Sequence, residues 1–285
     1  MLDLPTPRHI LKTLFPALKL AAAYAREIQS KIKAHPAKAE AKTLFAAALT
    51  DADLSIQTFI EVALLGSFPQ LRFFGEEFEK SYNTKYFRAT DLGPQGDYLV
   101  TLDPIDGTRF YLDGYPNYQI ILSVLNADGF EAVMAITPAE DQCCYALRGE
   151  GTFAGSLGEE MEGFKPLRID QPKPQIFLGS KMGYIAPRLS DRYRVVDVLA
   201  DYSAQVQIPN VNGILTGELT GVILAAGKLI DAAALAFLAQ EAGYWVTDWL
   251  GNSLPPLQSC ENFQWPGLII ASSKTVQQDL IAALS

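Results

Sequence analysis

Residues 102–108 read Leu-Asp-Pro-Ile-Asp-Gly-Thr. Two acids three positions apart, with a proline and a glycine fixing the backbone around them, predict a tight loop at a strand end. The strand is the apolar run Tyr98-Leu99-Val100-Thr101-Leu102 just before it. Asp103 and Asp106 would point into one volume, with the Ile105 carbonyl offering a neutral oxygen between them. An all-oxygen set of this kind suits a hard divalent cation, and Mg²⁺ in particular keeps part of its water and binds substrate phosphate as well. Gly107 and Thr108 would then present backbone N–H groups to an anion beside the metal. These residues suggest metal-assisted phosphate chemistry. The competing expectation for a lone DPxDGT is an acidic turn, since Asp, Pro and Gly are what loops use anyway.

Two further segments favour the chemical reading. Arg72-Phe73-Phe74-Gly75-Glu76-Glu77 places an acid pair just after a short apolar run, and Gly227-Lys228-Leu229-Ile230-Asp231-Ala232-Ala233-Ala234 places an acid at the head of a small-residue helix. In this order the three segments resemble the inositol monophosphatase family of Mg²⁺-dependent, lithium-sensitive phosphatases, within the superfamily that includes fructose-1,6-bisphosphatase and the bisphosphate nucleotidases. The resemblance runs from about Lys42 to about Gly251, and DPIDGT is its most specific element.

The resemblance implies an α+β / α/β two-part sugar-phosphatase fold, a layered αβαβα sandwich with the metal site between the halves. It implies that Glu76, Asp103, the Ile105 carbonyl, Asp106 and Asp231 hold two or three Mg²⁺ ions. Asp53, in Thr50-Asp51-Ala52-Asp53, matches the acid that pairs with Thr108 to activate water, and Gly107 and Thr108 match the phosphate-binding positions. Lys42 resembles a family lysine near the metals. The physics agrees, because five converging carboxylates repel one another severely unless a cation is present. Phosphoryl transfer asks the protein mainly for positioning and charge neutralisation, so no His or Cys nucleophile is required. The only histidines, His9 and His35, read as ordinary solvated or structural residues.

The pattern also departs from the family. An acid that binds substrate hydroxyls in the inositol-specific members falls at Leu224, and the Trp usual before the last metal aspartate is Ile230. The Gly-Ser/Thr-Ala segment of the substrate pocket falls near Gln205-Val206-Gln207, or with a gap at Asn210 to Gly213, and matches at neither. The metal half is retained and the substrate half is rewritten. Arg109 reads equally as a contact for an anionic substrate and as a surface salt bridge, and Glu77 and Asp51 as solvent-facing neighbours or as supports of the site.

Composition narrows the class. At 285 residues with 49% apolar and 19% charged content the chain is globular and long enough for one large or two ordinary domains. A net charge of −9 argues against a nucleic-acid surface, which needs a basic face. No window approaches the roughly 20 apolar residues of a membrane span. Met1-Leu2-Asp3-Leu4-Pro5 lacks the basic start and apolar core of a signal peptide. Cys143, Cys144 and Cys260 form no paired framework and read as free thiols, with Cys143 and Cys144 on opposite faces of a strand. Cytoplasmic localisation is the expectation.

The elements that must position these acids follow from periodicity. Leu11, Leu14, Phe15, Leu18, Ala22, Ala25 and Ile28 recur at helical spacing over Ile10–Ile32, with Pro16 either kinking that helix or starting a second one. Lys38 to Lys42 is a polar connection. Asp53, Ile56, Phe59, Ile60 and Leu64 mark a second helix closed by Gly66. Gln119–Leu125, Ala132–Thr137 and Gln142–Leu147 read as an antiparallel meander. Past a polar link near Phe164–Pro174 come Ile176–Ser180, a helical stretch around Arg188–Asp201, the run Val206–Ile208 and two Ala/Gly-rich helices, an α/β texture. The division predicted is 1–168, an N-terminal α+β metal-binding domain, and 169–285, a C-terminal α/β domain.

The function expected is Mg²⁺-dependent hydrolysis of a small phosphomonoester (a sugar, polyol or nucleotide phosphate) by metal-activated water. The partner is that small molecule, with no nucleic acid and no membrane, and a homodimer is among the assemblies this allows. The alternatives are a non-catalytic metal-binding or regulatory protein of the same fold and, more distantly, a Ca²⁺-stabilised structural protein.

Overall fold

The computed structural model describes residues 4–33, 49–77 and 91–285. Lys42, His35 and the Lys38–Lys42 connection lie outside them. The chain opens on α1 (Pro7–Ile28), capped by the Thr6 hydroxyl, which accepts from the His9 N–H, with Pro7 in the first turn where no N–H is needed. Pro16 lies inside this single helix rather than dividing it, and a 3₁₀ turn, Gln29–Lys31, ends it. Helix α2 (Asp51–Ser67) carries a capping box made by Thr50 and Asp53.

Seven strands follow in spatial order equal to chain order: β1 (Arg72–Gly75), β2 (Leu99–Asp106), β3 (Gln119–Leu125), β4 (Phe130–Thr137), β5 (Gln142–Leu147), β6 (Gly151–Ser156) and β7 (Lys165–Pro166). The β1–β2 pair is parallel and the rest antiparallel. A short helix, α3 (Thr108–Leu112), separates β2 from β3. The remainder builds β8 (Gln175–Leu178), α4 (Ala186–Leu189), β9 (Arg194–Asp197), α5 (Gly213–Thr216), β10 (Gly221–Leu224), β11 (Gly227–Lys228), α6 (Ala232–Glu241), β12 (Trp245–Thr247), β13 (Gln264–Trp265), β14 (Leu268–Ala271) and α7 (Lys274–Leu284). The second sheet runs β12-β14-β10-β8-β9, and β11 pairs with β13.

Strand alternation sorts the core into layers. Val100, Leu102, Ile120 and Leu122 pack with α1 and α2 on one face of the first sheet. Leu99, Ile121, Leu125 and Val133 on the other face share a second cluster with α6 and with Phe177, Val222 and Ile270 of the second sheet. Ile176, Leu178, Ile223 and Ile269 pack outward onto Leu189 of α4 and Leu280 of α7. The result is the αβαβα sandwich. Helix α6 is buried from Ala233 to Ala239, which suits a helix between two sheets, and its alanines let both sheets approach. Cys143 and Cys144 fall in different clusters, on opposite faces of β5. Among the described residues no helix is long and apolar enough to cross a membrane.

Three expectations are corrected. The stretch Arg188–Asp201 is helical only within α4; from Arg194 it is strand β9, whose Val195 and Val196 pair in parallel with Ile176 and Phe177. Branched side chains there prefer the pleated surface to a helix. Of the two Ala/Gly-rich helices only α6 is one of length: the preceding run is the four-residue α5 and strand β10, held between β8 and β14. Val206–Ile208 forms no strand, only an isolated bridge from Val206 to Ser203.

Candidate active site

The DPIDGT segment is mostly the bulged end of a strand rather than a loop. Strand β2 continues to Asp106, with three steps from Asp103 to Asp106 set against two from Ile121 to Gln119 on β3. Pro104 has no N–H to give a ladder, and a bulge is where an interior strand tolerates proline. The Ile105 N–H released by the bulge donates to Asp103 Oδ1 at 3.1 Å. Gly107 then takes φ +81, and a Cβ there would stand 3.0 Å from the Asn210 amide nitrogen, so a residue without a side chain is needed. That turn starts α3 at Thr108.

Glu76 follows β1 and prolongs its pairing, its N–H donating to the Leu102 carbonyl at 3.2 Å. Asp231 caps α6, where its carboxylate accepts from the Ala232 N–H at the positive end of the helix. Asp53 reaches the site from α2. Its Oδ2 accepts from the Thr50 N–H (2.8 Å) and hydroxyl (2.5 Å), while its Oδ1 accepts from the Thr108 hydroxyl at 3.2 Å. That hydroxyl also lies 2.9 Å from the Ile105 carbonyl. The Asp53–Thr108 contact expected from sequence is therefore present.

Electrostatics show that the four acids share one neighbourhood. Burial, then Glu76, Asp106 and Asp231, push Asp103 well above the usual carboxylate range. Asp106 is pushed up to about 8 by burial and by Asp231 and Glu76, against the pull of Lys228 and the Gly107 N–H. Asp231 is raised chiefly by burial, with Lys228 opposing. Burial pushes Asp53 up to about 6, although bonds from Thr50 and Thr108 favour its charged form. One cation already answers these charges: Lys228 Nζ lies 3.3 Å from Asp231 and 3.6 Å from Glu76, and Asp231 above all raises its pKa. Among the described residues no three His, Cys, Asp or Glu side chains close into a ready metal cluster. The acids border a common volume without yet forming a cage.

Other candidates make contacts of their own. Arg109 makes a two-pronged salt bridge to Asp113 at 2.8 Å, and the Tyr202 hydroxyl bonds the same carboxylate. Its guanidinium is thus committed within the protein. The Glu77 N–H donates to the Gln57 side chain at 2.9 Å, and Asp51 is exposed at the start of α2. His9 is exposed, its ring edge-on to Phe68. Sequence reasoning missed Lys228 as a partner of the acids, although its place three residues before Asp231 was a signal. It also missed Thr50, whose T-x-x-D spacing is a helix-capping signature.

A cavity of about 390 Å³ opens beside Asp106 and Asp231, within the size range of small-molecule sites. A hollow of similar volume on the outer face of α1 and α2 is lined by Leu20, Tyr24 and Phe59 and holds no carboxylate, so the chemistry points to the first.

Comparison with known proteins decides the family. The description of the inositol monophosphatase family matches residues 10–285. The chain belongs to that family. It is 27% identical over 224 residues to the fructose-1,6-bisphosphatase/inositol-1-monophosphatase of Thermotoga maritima, covering 75% of this chain and 76% of that one. A Streptomyces griseus protein named glucose-1-phosphate thymidylyltransferase is 28% identical over 156 residues, and the match spans only 53% of this chain and 57% of that protein. Among solved structures, an IMPase/NADP phosphatase complexed with Mg²⁺ and phosphate superposes with a TM-score of 0.70 at 19% identity, covering 98% of this chain and 95% of that one.

Set in the inositol monophosphatase family, the departures seen in the sequence acquire positions. Leu224, at the end of β10, borders the cavity beside Asp106. Ile230 is buried and does not line it. Val211 lines the cavity and Asn210 packs against Gly107, whereas Gln205–Gln207 are exposed. The gapped placement of the pocket segment, Asn210 to Gly213, is the one that lies at the site.

Proposed function

We propose that this chain is a Mg²⁺-dependent phosphatase for a small phosphomonoester, with Asp53 and Thr108 acting together on the attacking water. One observation carries the reading: Asp103 and Asp106 at the end of β2 and Asp231 at the cap of α6, all raised in pKa first by burial and then by Glu76 or one another, stand beside a substrate-sized cavity, next to the bonded Asp53–Thr108 pair. The donors fit a hard divalent cation in kind, being carboxylate and carbonyl oxygens only. Asp106 Oδ2 is buried and has no hydrogen-bond partner among the described residues, as a carboxylate reserved for a cation would be. Glu76, Asp103, the Ile105 carbonyl, Asp106 and Asp231 would hold it.

When bound, such a cation supplies charge neutralisation at the phosphate and lowers the pKa of water. The chain's own residues do the rest. Gly107 and Thr108 offer N–H groups to a phosphate oxygen. Asp53, when ionised, accepts the Thr108 hydroxyl proton and so turns that oxygen's lone pairs toward a water. The Thermotoga relative's name covers a sugar bisphosphate and an inositol phosphate, and the solved neighbour's a dinucleotide phosphate. Those names support a sugar, polyol or nucleotide phosphate here. Leu224 in the cavity wall leaves cyclitol hydroxyls unpaired, which disfavours myo-inositol 1-phosphate.

The test is a panel of phosphate esters with Mg²⁺, read as released phosphate. Turnover of at least one sugar or nucleotide phosphate with higher kcat/KM than inositol phosphate is expected. No turnover of any ester, with or without Mg²⁺, would refute the enzymatic reading.

A further inference from the structure

Two lysines line the cavity beside Asp106 and Asp231, and they are in different situations. Lys228 is engaged by Glu76 and Asp231. Lys181 is exposed and has no ion-pair partner among the described residues. It follows β8 in a turn closed by the Met182 N–H bonding the Gly179 carbonyl at 3.0 Å, and its φ is +71. The third position of such a turn ordinarily holds Gly or Asn when φ is positive. Of the four non-glycine residues with positive φ among the described residues, two are the Asp and Asn that tolerate it, and Lys181 is the one that borders this cavity. A long cation is held at a strained position in the lining of the same cavity as Asp106 and Asp231, and that lining also includes the apolar Val211 and Leu224.

The geometry points to Lys181 as a specificity residue for a second anionic group, a carboxylate or phosphate, on the substrate's non-reacting end. The inference rests on the phosphatase reading above and narrows its substrate class to phosphomonoesters with two anionic ends. The ester phosphate sits by the acids and Lys228. The second anion meets an ammonium with no other charge to answer. The apolar residues of the lining, Val211 and Leu224 among them, favour a substrate body with few hydroxyls.

Two measurements test this, one independent of turnover. Calorimetric titration, in Mg²⁺ buffer, compares phosphonocarboxylates of increasing chain length with their carboxamides. Wild type should prefer the carboxylate of the best-fitting length by about tenfold or more, the usual weight of a charge-assisted bond. Lys181→Asn suits the positive φ but lacks the charge, and it should erase that preference. Lys181→Arg should keep it. In turnover, the ratio of kcat/KM for 3-phosphoglycerate over glycerol 1-phosphate should fall by a similar factor in Lys181→Asn. A wild type without preference for the carboxylate, or a Lys181→Asn variant that retains it or weakens both probes alike, would overturn the assignment. Absence of turnover alone strikes the phosphatase reading, while the binding ratio still decides the role of Lys181.

Discussion

Asp53 offers the sharpest quantitative test of the site's electrostatics. Its side chain is wholly buried, and its pKa is pushed from 3.8 to about 6, mainly by burial. In the unfolded chain it titrates near 3.9. A carboxyl whose native pKa is raised keeps its proton where the unfolded chain releases it, so its contribution to stability is full below about pH 4. That contribution is lost as pH rises through about 6. Each pKa unit is worth about 1.4 kcal/mol, so the gap of about two units costs about 3 kcal/mol above pH 7. Set against a typical total of about 5–15 kcal/mol, this is large enough to measure.

Asp53→Asn is close to isosteric with the protonated acid and cannot titrate. Urea unfolding of wild type and variant in EDTA, at several values between about pH 4 and 8, isolates Asp53, because the other acids titrate in both proteins. Loss of a bond from Thr50 costs the variant a roughly pH-independent amount of about 1 kcal/mol. The stability difference should therefore swing by about 3 kcal/mol in the variant's favour between pH 4 and 7.5. A difference constant within about 1 kcal/mol would refute the reasoning. It would mean that the three hydrogen bonds from Thr50 and Thr108 keep the carboxylate ionised despite its burial.

Asp53→Asn and Thr108→Ala should each lower phosphate release by about 10²–10⁴, and the double variant should be hardly worse, since paired groups fail together; fully multiplied losses in a rate assay would separate them. Asp106→Asn should abolish Mg²⁺-dependent turnover yet leave the metal-free protein at least as stable at pH 8 by urea unfolding, because it removes an acid that burial, and then Asp231 and Glu76, push up to about 8. Lys228→Met should tighten Mg²⁺ several-fold by calorimetry, because the ammonium that now answers Glu76 and Asp231 competes with the cation; weaker binding would show that Lys228 supports the site instead. Leu224→Glu should shift kcat/KM toward polyol phosphates, with unchanged preferences arguing that this side chain does not face substrate.

The parts of the molecule legible in sequence are those whose cause is local. The Leu11–Leu18 stripe of α1, the Ile56–Leu64 stripe of α2 and the alternation of β3 to β5 follow from periodicity. The Asp53–Thr108 contact was reachable because the family resemblance supplied a pairing across 55 positions that spacing cannot give. Arg194–Asp197 was misread because four residues near charged neighbours carry no period. They become a strand only by docking against β8. The bulge at Pro104 was likewise read as a loop, since whether a Pro-bearing segment leaves the sheet depends on the partner strand. Lys228 and Lys181 look alike in sequence, two lysines among small and apolar residues. Only the fold gives one of them carboxylate neighbours and leaves the other facing the cavity.

The placement of Asp231 shows why the two halves of the chain must be considered together. Glu76, Asp103 and Asp106 come from the first sheet, but Asp231 reaches them from the cap of α6, a helix buried between both sheets. The position of that cap is set by packing on each side, Leu125 and Val133 from one sheet and Val222 and Ile270 from the other, all in one cluster. Interiors are close-packed and transmit volume changes. Truncating Val222 or Ile270 thus removes support from α6 as well as burial from the core. The Asp231 carboxylate is therefore positioned from packing at both sheets, through the helix that it caps. The rewritten cavity wall, carried by β10 and the turn after β8, can vary with less disturbance to the acids of the first sheet. Such a division accounts for a chain whose acids resemble the family pattern while Leu224, Val211 and Lys181 line the cavity beside Asp106 and Asp231.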